Sequence, residues 1–424
     1  MVAFKNIFQA LILIITNAVF VLSMYYLIIS LFGIIRRKHK EKVVPQKSFA
    51  LIVAAHNEES VIKEVVNSLY NLDYPKDLYD VFVIADNCTD NTADVAEKAG
   101  ANVYRRYDKN KRGKGFALEW MFNKIFKMDK KYDAVAIFDA DNLVAKDFLN
   151  EMNRELLKGY KVVQGYLDSK NPFDTWITAC YSASFWTSNR MIQLARNKLG
   201  LSNQLGGTGF CVEVEILREL GWGATCLTED LEFTCKLVLN GYKVGWAHEA
   251  VIYDEKPLTL AQSWNQRKRW MQGFADVSSR YFFKLMKRAF TKFDFVAFDC
   301  ALYSIQPIMN ILIGLSTIIT VVSYCMSTPQ FITNAVNVIK NGNISFTLAG
   351  VSVLSVLLIL YTPFLFYLDK KLNIKSILSL IILPVFTLTW FPISIQGILN
   401  KNDVEWSHTK HTRSMSIDEL EKVN

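Results

Sequence analysis

No charged side chain occurs between Asn6 and Ile35. As a helix this run would measure about 45 Å, more than the roughly 30 Å of a bilayer's hydrocarbon core. An uncharged stretch of that length predicts a membrane-embedded helix, and the rest of the chain has to be organised around it. A secretory signal would carry its charges ahead of a shorter apolar core and a small-residue cleavage site behind it. Here the basic cluster Arg36, Arg37, Lys38, Lys40 and Lys42 comes afterwards. The sequence therefore predicts a retained anchor, with this flank and the domain that follows it in the cytoplasm. The same flank accounts for much of the formal net charge of +8, so nucleic acid is not needed as a partner.

Three further uncharged stretches lie near the C-terminus: Cys300 to Ile339, Ile344 to Leu368 and Ser376 to Asn400. Part of the first, Ser327 to Asn337, is too polar for lipid. The third contains Pro384 and Pro392, which fit either a crossing helix or a re-entrant hairpin. Lys370 and Lys371, after the second, fit a cytoplasmic loop. If the third stretch crosses, the tail after Lys401 is outside; if it is re-entrant, the tail is inside. The expected organisation is an N-terminal transmembrane helix (1–36), a soluble domain (47–256), interfacial amphipathic helices (257–294), C-terminal membrane helices (295–400) and a polar tail (401–424). Seven cysteines with no C-x-x-C pair exclude a disulfide scaffold and make structural zinc unfounded. Cys88, Cys180, Cys211, Cys226 and Cys235 read as reduced thiols.

Within the soluble region, apolar runs at Phe49–Ala54, Asp80–Ala85, Asn102–Tyr104 and Ala134–Phe138 alternate with helical patterns at Val61–Leu72, Thr89–Glu97 and Lys114–Phe126. This alternation predicts a parallel α/β sheet covered on both faces. Ligands of such sheets bind beyond the carboxyl ends of the strands. Three strands there end in acidic or polar residues: His56-Asn57-Glu58, Asp86 and Asp139. Each acid alone also fits a helix N-cap; three on one edge read as a ligand site. Asp139-Ala140-Asp141 can turn alternate carboxylates toward one Mg²⁺ or Mn²⁺. Lys111-Arg112-Gly113-Lys114-Gly115 precedes a helix and suits a diphosphate, although the P-loop pattern is absent. Thr228-Glu229-Asp230 opens another helix, where a Thr cap with first-turn acids is the plain alternative. Gln266-Arg267-Lys268-Arg269-Trp270 combines cations with an aromatic ring just before the membrane stretches, as an interfacial helix would.

Taken in order, His56-Asn57-Glu58, Asp86, Lys114, Asp139-x-Asp141, Thr228-Glu229-Asp230 and Gln266-x-x-Arg269-Trp270 resemble the membrane-integrated processive family 2 glycosyltransferases, such as cellulose, hyaluronan and poly-N-acetylglucosamine synthases. The resemblance covers residues 48 to 400. It implies an α/β GT-A (Rossmann-like) cytoplasmic domain with an α-helical transmembrane region and interfacial helices. Glu58 and Asp86 would hold the nucleoside and Lys114 the diphosphate. Asp139 and Asp141 would face the metal and the donor. Asp230, beside Glu229, would be the catalytic base. Gln266 and Arg269 would bind the nucleotide-sugar, and Trp270 the acceptor. Gly207-Thr208-Gly209-Phe210-Cys211 occupies the place of the acceptor-side loop, with residues unlike the cellulose and hyaluronan versions, and puts Gly209 and Phe210 at the acceptor.

The implied reaction is inverting, metal-dependent transfer from a UDP-linked donor to a growing β-linked polysaccharide, coupled to export by a multi-pass protein of the cell membrane. A lipid acceptor is the alternative, and an accessory subunit or homo-oligomer is compatible with either. His248 is weighed as a third metal ligand and Asp299 as a residue bordering the export path or sitting at the membrane interface. Trp406 to His411 reaches the site only if the tail is cytoplasmic.

Overall fold

The computed structural model describes residues 2–35, 43–223, 226–322, 359–403, 411 and 413–423. The basic cluster at 36–42 and most of the Ile344–Leu368 stretch lie outside these residues. Eight strands form one sheet: β1 (Phe49–Ala55), β2 (Tyr79–Asp86), β3 (Asn102–Arg106), β4 (Ala134–Asp139), β5 (Leu143–Val144), β6 (Val162–Ser169), β7 (Phe210–Glu213) and β8 (Val244–Asp254). The helices before and around the sheet are α1 (Val2–Leu31), α2 (Ile62–Tyr70), α3 (Thr92–Lys98), α4 (Lys114–Ile125), α5 (Phe148–Leu157), α6 (Trp176–Ser188), α7 (Ala195–Lys198), α8 (Val214–Leu220) and α9 (Glu229–Leu239). After it come α10 (Leu260–Lys292), α11 (Phe295–Ser304), α12 (Gln306–Val322), α13 (Ile359–Leu368), α14 (Ile374–Leu388), α15 (Trp390–Leu399) and α16 (Ile417–Val423).

The spatial strand order is β3-β2-β1-β4-β7-β6-β8-β5. The first four strands pair in parallel, as the alternation of strands and helices predicts. The other half is mixed: β7 runs antiparallel to both β4 and β6, and β5 antiparallel to β8. The expected parallel sheet is thus a mixed one. β1 shows why helices cover both faces. Its side chains alternate, with Phe49, Leu51 and Val53 packing among α2 and α5 residues such as Val65 and Met152. Ala50 and Ile52 instead pack with α4 and α9 residues such as Met121 and Phe233. A strand buried on both sides has no room for a polar position, hence its unbroken apolar run. Chain connections run outward from β1 in opposite directions, to β2 on one side and β4 on the other. That reversal opens a crevice at their carboxyl ends.

Among the described residues, two helices are long and apolar enough to cross a membrane: Ile12–Leu31, and Ile374–Leu399 taken as one. The pair Phe295–Ser304 and Gln306–Val322, bent by 65° at its break, makes a third if it is one span. The described cysteines are free thiols.

Candidate active site

The crevice is built on backbone that favours few residue types. Asn57 and Asn87, directly after β1 and β2, sit at φ 55° and 52°, a left-handed conformation that asparagine tolerates better than most residues. Each turns its amide to bracing work. Asn57 Oδ1 accepts the Thr89 backbone N–H at 2.8 Å, and Asn87 Oδ1 accepts that of Asp108 at 2.9 Å. The turns leave Glu58 and Asp86 buried at the strand ends. Asp86 Oδ1 accepts from the Arg106 guanidinium at 2.5 Å and from the Asn87 side-chain amide at 2.9 Å. Burial outweighs these cations and donors and holds Asp86 above the usual carboxylate range.

On the other side of the reversal, Lys114 begins α4 behind Gly113, whose φ of 111° admits little but glycine. Its ammonium donates to Asp139 at 2.5 Å and to the Gly207 carbonyl at 2.6 Å. Burial works against that charge, but Asp139, Glu229 and Asp230 more than offset it and raise the pKa. The Asp139 N–H donates to Asn142 Oδ1 and Thr208 Oγ1, both at 3.0 Å. The loop carrying Gly207 passes close to Asp230: a Cβ on Gly207 would stand 3.5 Å from Asp230 Oδ2. Lys114, Asp139, Glu229 and Asp230 therefore share one locus.

Asp230 lies in the first turn of α9. Burial, and next the neighbouring Glu229 charge, push its pKa up to about 7. Glu229 is itself raised, first by burial, with Lys114 acting against. Thr228 holds the N-cap position of α9 with Glu229 and Asp230 in the first turn, as the plain alternative has it, although the Thr228 side chain makes no cap bond. From α10, Arg269 acts on the charges of Glu229, Asp139 and Asp230. Gln266 Oε1 accepts the Tyr181 hydroxyl at 2.9 Å. Trp270 lies near-parallel to Trp390 at 6.4 Å and edge-on to Tyr181 at 6.2 Å.

Asp141 is buried. Its Oδ2 accepts the Glu255 N–H at 2.8 Å, and Oδ1 accepts from Asn142 at 3.3 Å. Burial would raise its pKa, yet His411, Lys170, this N–H and Lys256 together lower it. Two carboxylates on one strand end are hard oxygen donors of the kind Mg²⁺ or Mn²⁺ takes, with diphosphate oxygens completing the shell. Among the described residues there is no cluster of three His, Cys, Asp or Glu poised as a cage. The donor set fits an ion shared with a phosphate ligand better than one held by protein alone.

Some expectations are corrected. Phe210 is 1 % exposed and stacks on Trp222 in the core; it does not face an acceptor. A Cβ on Gly209 would collide with Ile252, so that residue too faces the sheet. His248 pairs with Asp369 at 3.4 Å and accepts the Trp246 indole N–H at 3.0 Å; the structure does not bring it to Asp141. Asp299 is buried against Arg196 (2.8 Å) and the Tyr25 hydroxyl (2.7 Å).

Other residues were missed. Gln164 braces the glycine loop, donating to the Thr208 and Gly209 carbonyls at 2.9 and 3.2 Å and accepting from the Gly206 N–H at 2.8 Å. A fully buried glutamine inside an apolar strand was the available signal. Arg106 and Lys170 had none. His411 comes from the far end of the chain to within 2.9 Å of Glu58. Burial lowers its pKa, but Asp141, Glu58 and Glu255 raise it to about 9.

The chain is 27 % identical over 263 residues to the probable glycosyltransferase YdaM of Bacillus subtilis, covering 59 % of this chain and 61 % of that one. It is 31 % identical over 244 residues to the beta-monoglucosyldiacylglycerol synthase of Synechocystis sp., covering 54 % and 48 %. It is 26 % identical over 247 residues to the poly-beta-1,6-N-acetyl-D-glucosamine synthase of Staphylococcus aureus, covering 57 % and 58 %. The chain thus matches about half to three-fifths of these relatives' lengths. The mannosyltransferase PcManGT of Pyrobaculum calidifontis, solved with GDP-Man and Mn²⁺, superposes with a TM-score of 0.60 at 17 % identity, over 93 % of this chain and 99 % of that one; this likeness speaks for the fold alone. Residues 45–273, more than half of the chain and inclusive of every motif from His56 to Trp270, match the family model for glycosyltransferase like family 2, and the chain belongs to that family.

Proposed function

We propose that the protein is a membrane enzyme that transfers a hexose, with inversion, from a UDP-sugar to the end of a growing β-linked polysaccharide and exports the product. The observation that carries this reading is the meeting of Lys114, Asp139, Glu229 and Asp230 at one strand edge, with Arg269 acting on the same charges. Glu58 and Asp86 would hold the nucleoside. Asp139 and Asp141 would hold a divalent cation, which supplies charge neutralisation at the departing diphosphate. Lys114 and Arg269 would stabilise the same developing charge. Asp230, half-ionised near neutral pH, takes the proton of the acceptor hydroxyl as that oxygen bonds to the anomeric carbon and the bond to the diphosphate breaks. One displacement inverts the configuration, so an α-linked donor yields a β-linked product.

The part-exposed rings of Trp270 and Trp390 favour a sugar acceptor, since pyranose rings pack on such surfaces. The same reading places residues 47–256 in the cytoplasm as the GT-A domain, 257–294 at the membrane surface, and 1–36 and 295–400 in the membrane. A second reading, transfer to a lipid such as diacylglycerol, is favoured by the similarity to beta-monoglucosyldiacylglycerol synthase. Both are tested by one experiment. Purified protein in lipid nanodiscs is given UDP-glucose, UDP-N-acetylglucosamine and other donors with Mg²⁺ or Mn²⁺, and nucleotide release and product size are measured. A large product sensitive to β-glycosidase is the expected result. A short glycolipid selects the second reading, and no release with any donor refutes both.

A further inference from the structure

Tyr181 stands where three helices meet. It shares a small apolar cluster with Ile177 and Cys180 of α6 and Phe386 of α14, and Trp270 of α10 packs against that cluster. The ring lies edge-on to Phe386 at 5.4 Å and to Trp270 at 6.2 Å. The residue is 2 % exposed, and a phenol so buried needs a partner for its hydroxyl. That partner is Gln266: the hydroxyl donates to Oε1 at 2.9 Å, with the Ser263 carbonyl farther away at 3.4 Å. The two helices are also tied at their starts, where Thr175 caps α6 and donates to the Leu258 carbonyl at 3.0 Å, just before α10. Gln266 itself is part-exposed, and among the described residues its Nε2 makes no hydrogen bond.

We propose that Tyr181 is a positioning residue, whose hydroxyl seats the Gln266 amide with its oxygen inward and its two N–H donors toward the diphosphate of the bound donor. This rests on reading the crevice as the nucleotide-sugar site. Gln266, Arg269 and Trp270, three and four positions apart, share one face of α10. Arg269 on that face acts on the charges of Glu229, Asp139 and Asp230, so the face fronts the charged crevice. A primary amide has an acceptor end and a donor end. Only the donor end suits phosphate oxygens; the oxygen end repels them. A free glutamine can present either end, and it loses side-chain freedom on being ordered. The tyrosine occupies the oxygen and selects the useful end before the ligand arrives. A hydroxyl needing no more than satisfaction could take the Ser263 carbonyl, yet it lies nearer the side chain.

The test uses the full-length protein in lipid nanodiscs with Mn²⁺. Donor KM and kcat are read from UDP release with UDP-glucose, UDP-N-acetylglucosamine and other UDP-sugars. Tyr181→Phe keeps the ring and its packing. It should raise the donor KM about three- to tenfold, the size of one hydrogen bond, and change kcat far less. Gln266→Ala should raise KM at least as far. The double variant should be no worse than Gln266→Ala alone, because the hydroxyl acts through the amide. Gln266→Glu still accepts from Tyr181 but turns an oxygen to the diphosphate, and should be worse than Gln266→Ala. An unchanged KM in Tyr181→Phe, or an equal rise with and without Gln266, would overturn the positioning role and leave the donor site standing. So would a Gln266→Glu enzyme with the wild-type KM. No UDP release from the wild type with any of these sugars would refute the functional reading itself, and the proposal with it.

Discussion

In the proposed reaction, Asp230 concentrates the chemistry in one side chain. An ordinary aspartate is ionised at neutral pH and too weak a base to help an alcohol. Burial beside Glu229 lifts Asp230 to about 7, where a base matches the working pH. The sign follows directly: below that pKa the carboxyl is protonated and cannot accept the hydroxyl's proton. The turnover rate should fall about tenfold per pH unit on the acid side of pH 7, with the break read from a rate profile at saturating donor. Asp230→Asn should lower turnover by about 10²- to 10⁴-fold and leave nucleotide affinity, measured by calorimetry, nearly unchanged. A variant that kept its rate would move the base elsewhere. Lys114 offers a contrasting case. It holds Asp139 and the Gly207 carbonyl at once, so Lys114→Met should weaken nucleotide binding and turnover together, which steady-state kinetics over a donor series would separate from a pure rate defect.

At the scale of elements, the site depends on how closely α10 approaches the start of α9. Gly273 permits that approach: a Cβ there would stand 2.4 Å from Thr228 Oγ1 and 2.5 Å from its Cγ2. Gly273→Ala should therefore cost about 1–3 kcal/mol of stability and slow turnover by shifting Glu229 and Asp230. Thr228→Ala in the same molecule removes the two nearest atoms, leaving its Cβ at 2.9 Å, and should recover part of the loss. Thermal unfolding of the two single variants and the double one gives the coupling. Element by element, legibility in the sequence followed locality. β1, β2 and β4 were readable because each is an apolar run that closes at polar or acidic residues, His56-Asn57-Glu58, Asp86 and Asp139, and α4 because glycine and lysine mark its start. β7 was not readable: four residues suffice for it because its neighbours β4 and β6 already exist. β6 was obscured by Gln164, a polar residue whose partners are carbonyls more than 40 positions away. The pattern T-E-D marked Asp230, which the fold brings beside Lys114 and Gly207, whereas Phe210 misled because an aromatic next to a glycine loop packs equally well into the core.

For the molecule as a whole, the open question left by the sequence is whether the apolar stretch 374–399 crosses the membrane. Its length of 26 residues would make it about 39 Å long. Were it to run along the membrane normal, only one end could touch the catalytic domain. Instead it meets that domain along its course. Lys371, just before it, pairs with Asp168 at 2.7 Å, and Lys375 lies over the Phe173 ring at 5.7 Å. Phe386 packs edge-on to Tyr181 at 5.4 Å, and Thr389 accepts from the buried Arg267 at 2.7 Å. Gln396 accepts the Trp264 indole N–H at 2.9 Å, and the Asn400 carbonyl just after it accepts from Gln272 at 3.0 Å. Its other face exposes Ile374, Leu378, Ile381, Val385 and Leu388. A helix bound lengthwise to a folded domain and apolar on its free side is suited to lie in the interfacial plane, carrying the domain on the membrane surface. This favours the re-entrant alternative, which would put residues 400–403 on the side of the active site, where His411 meets Glu58. A single cysteine at Asn402, in a background with the seven native cysteines replaced, should resist a membrane-impermeant maleimide in intact cells and react once they are permeabilised. A second probe at Asn91, on the catalytic domain, should behave the same way. Opposite labelling of the two positions would mean that the stretch crosses, and that the tail cannot reach the crevice.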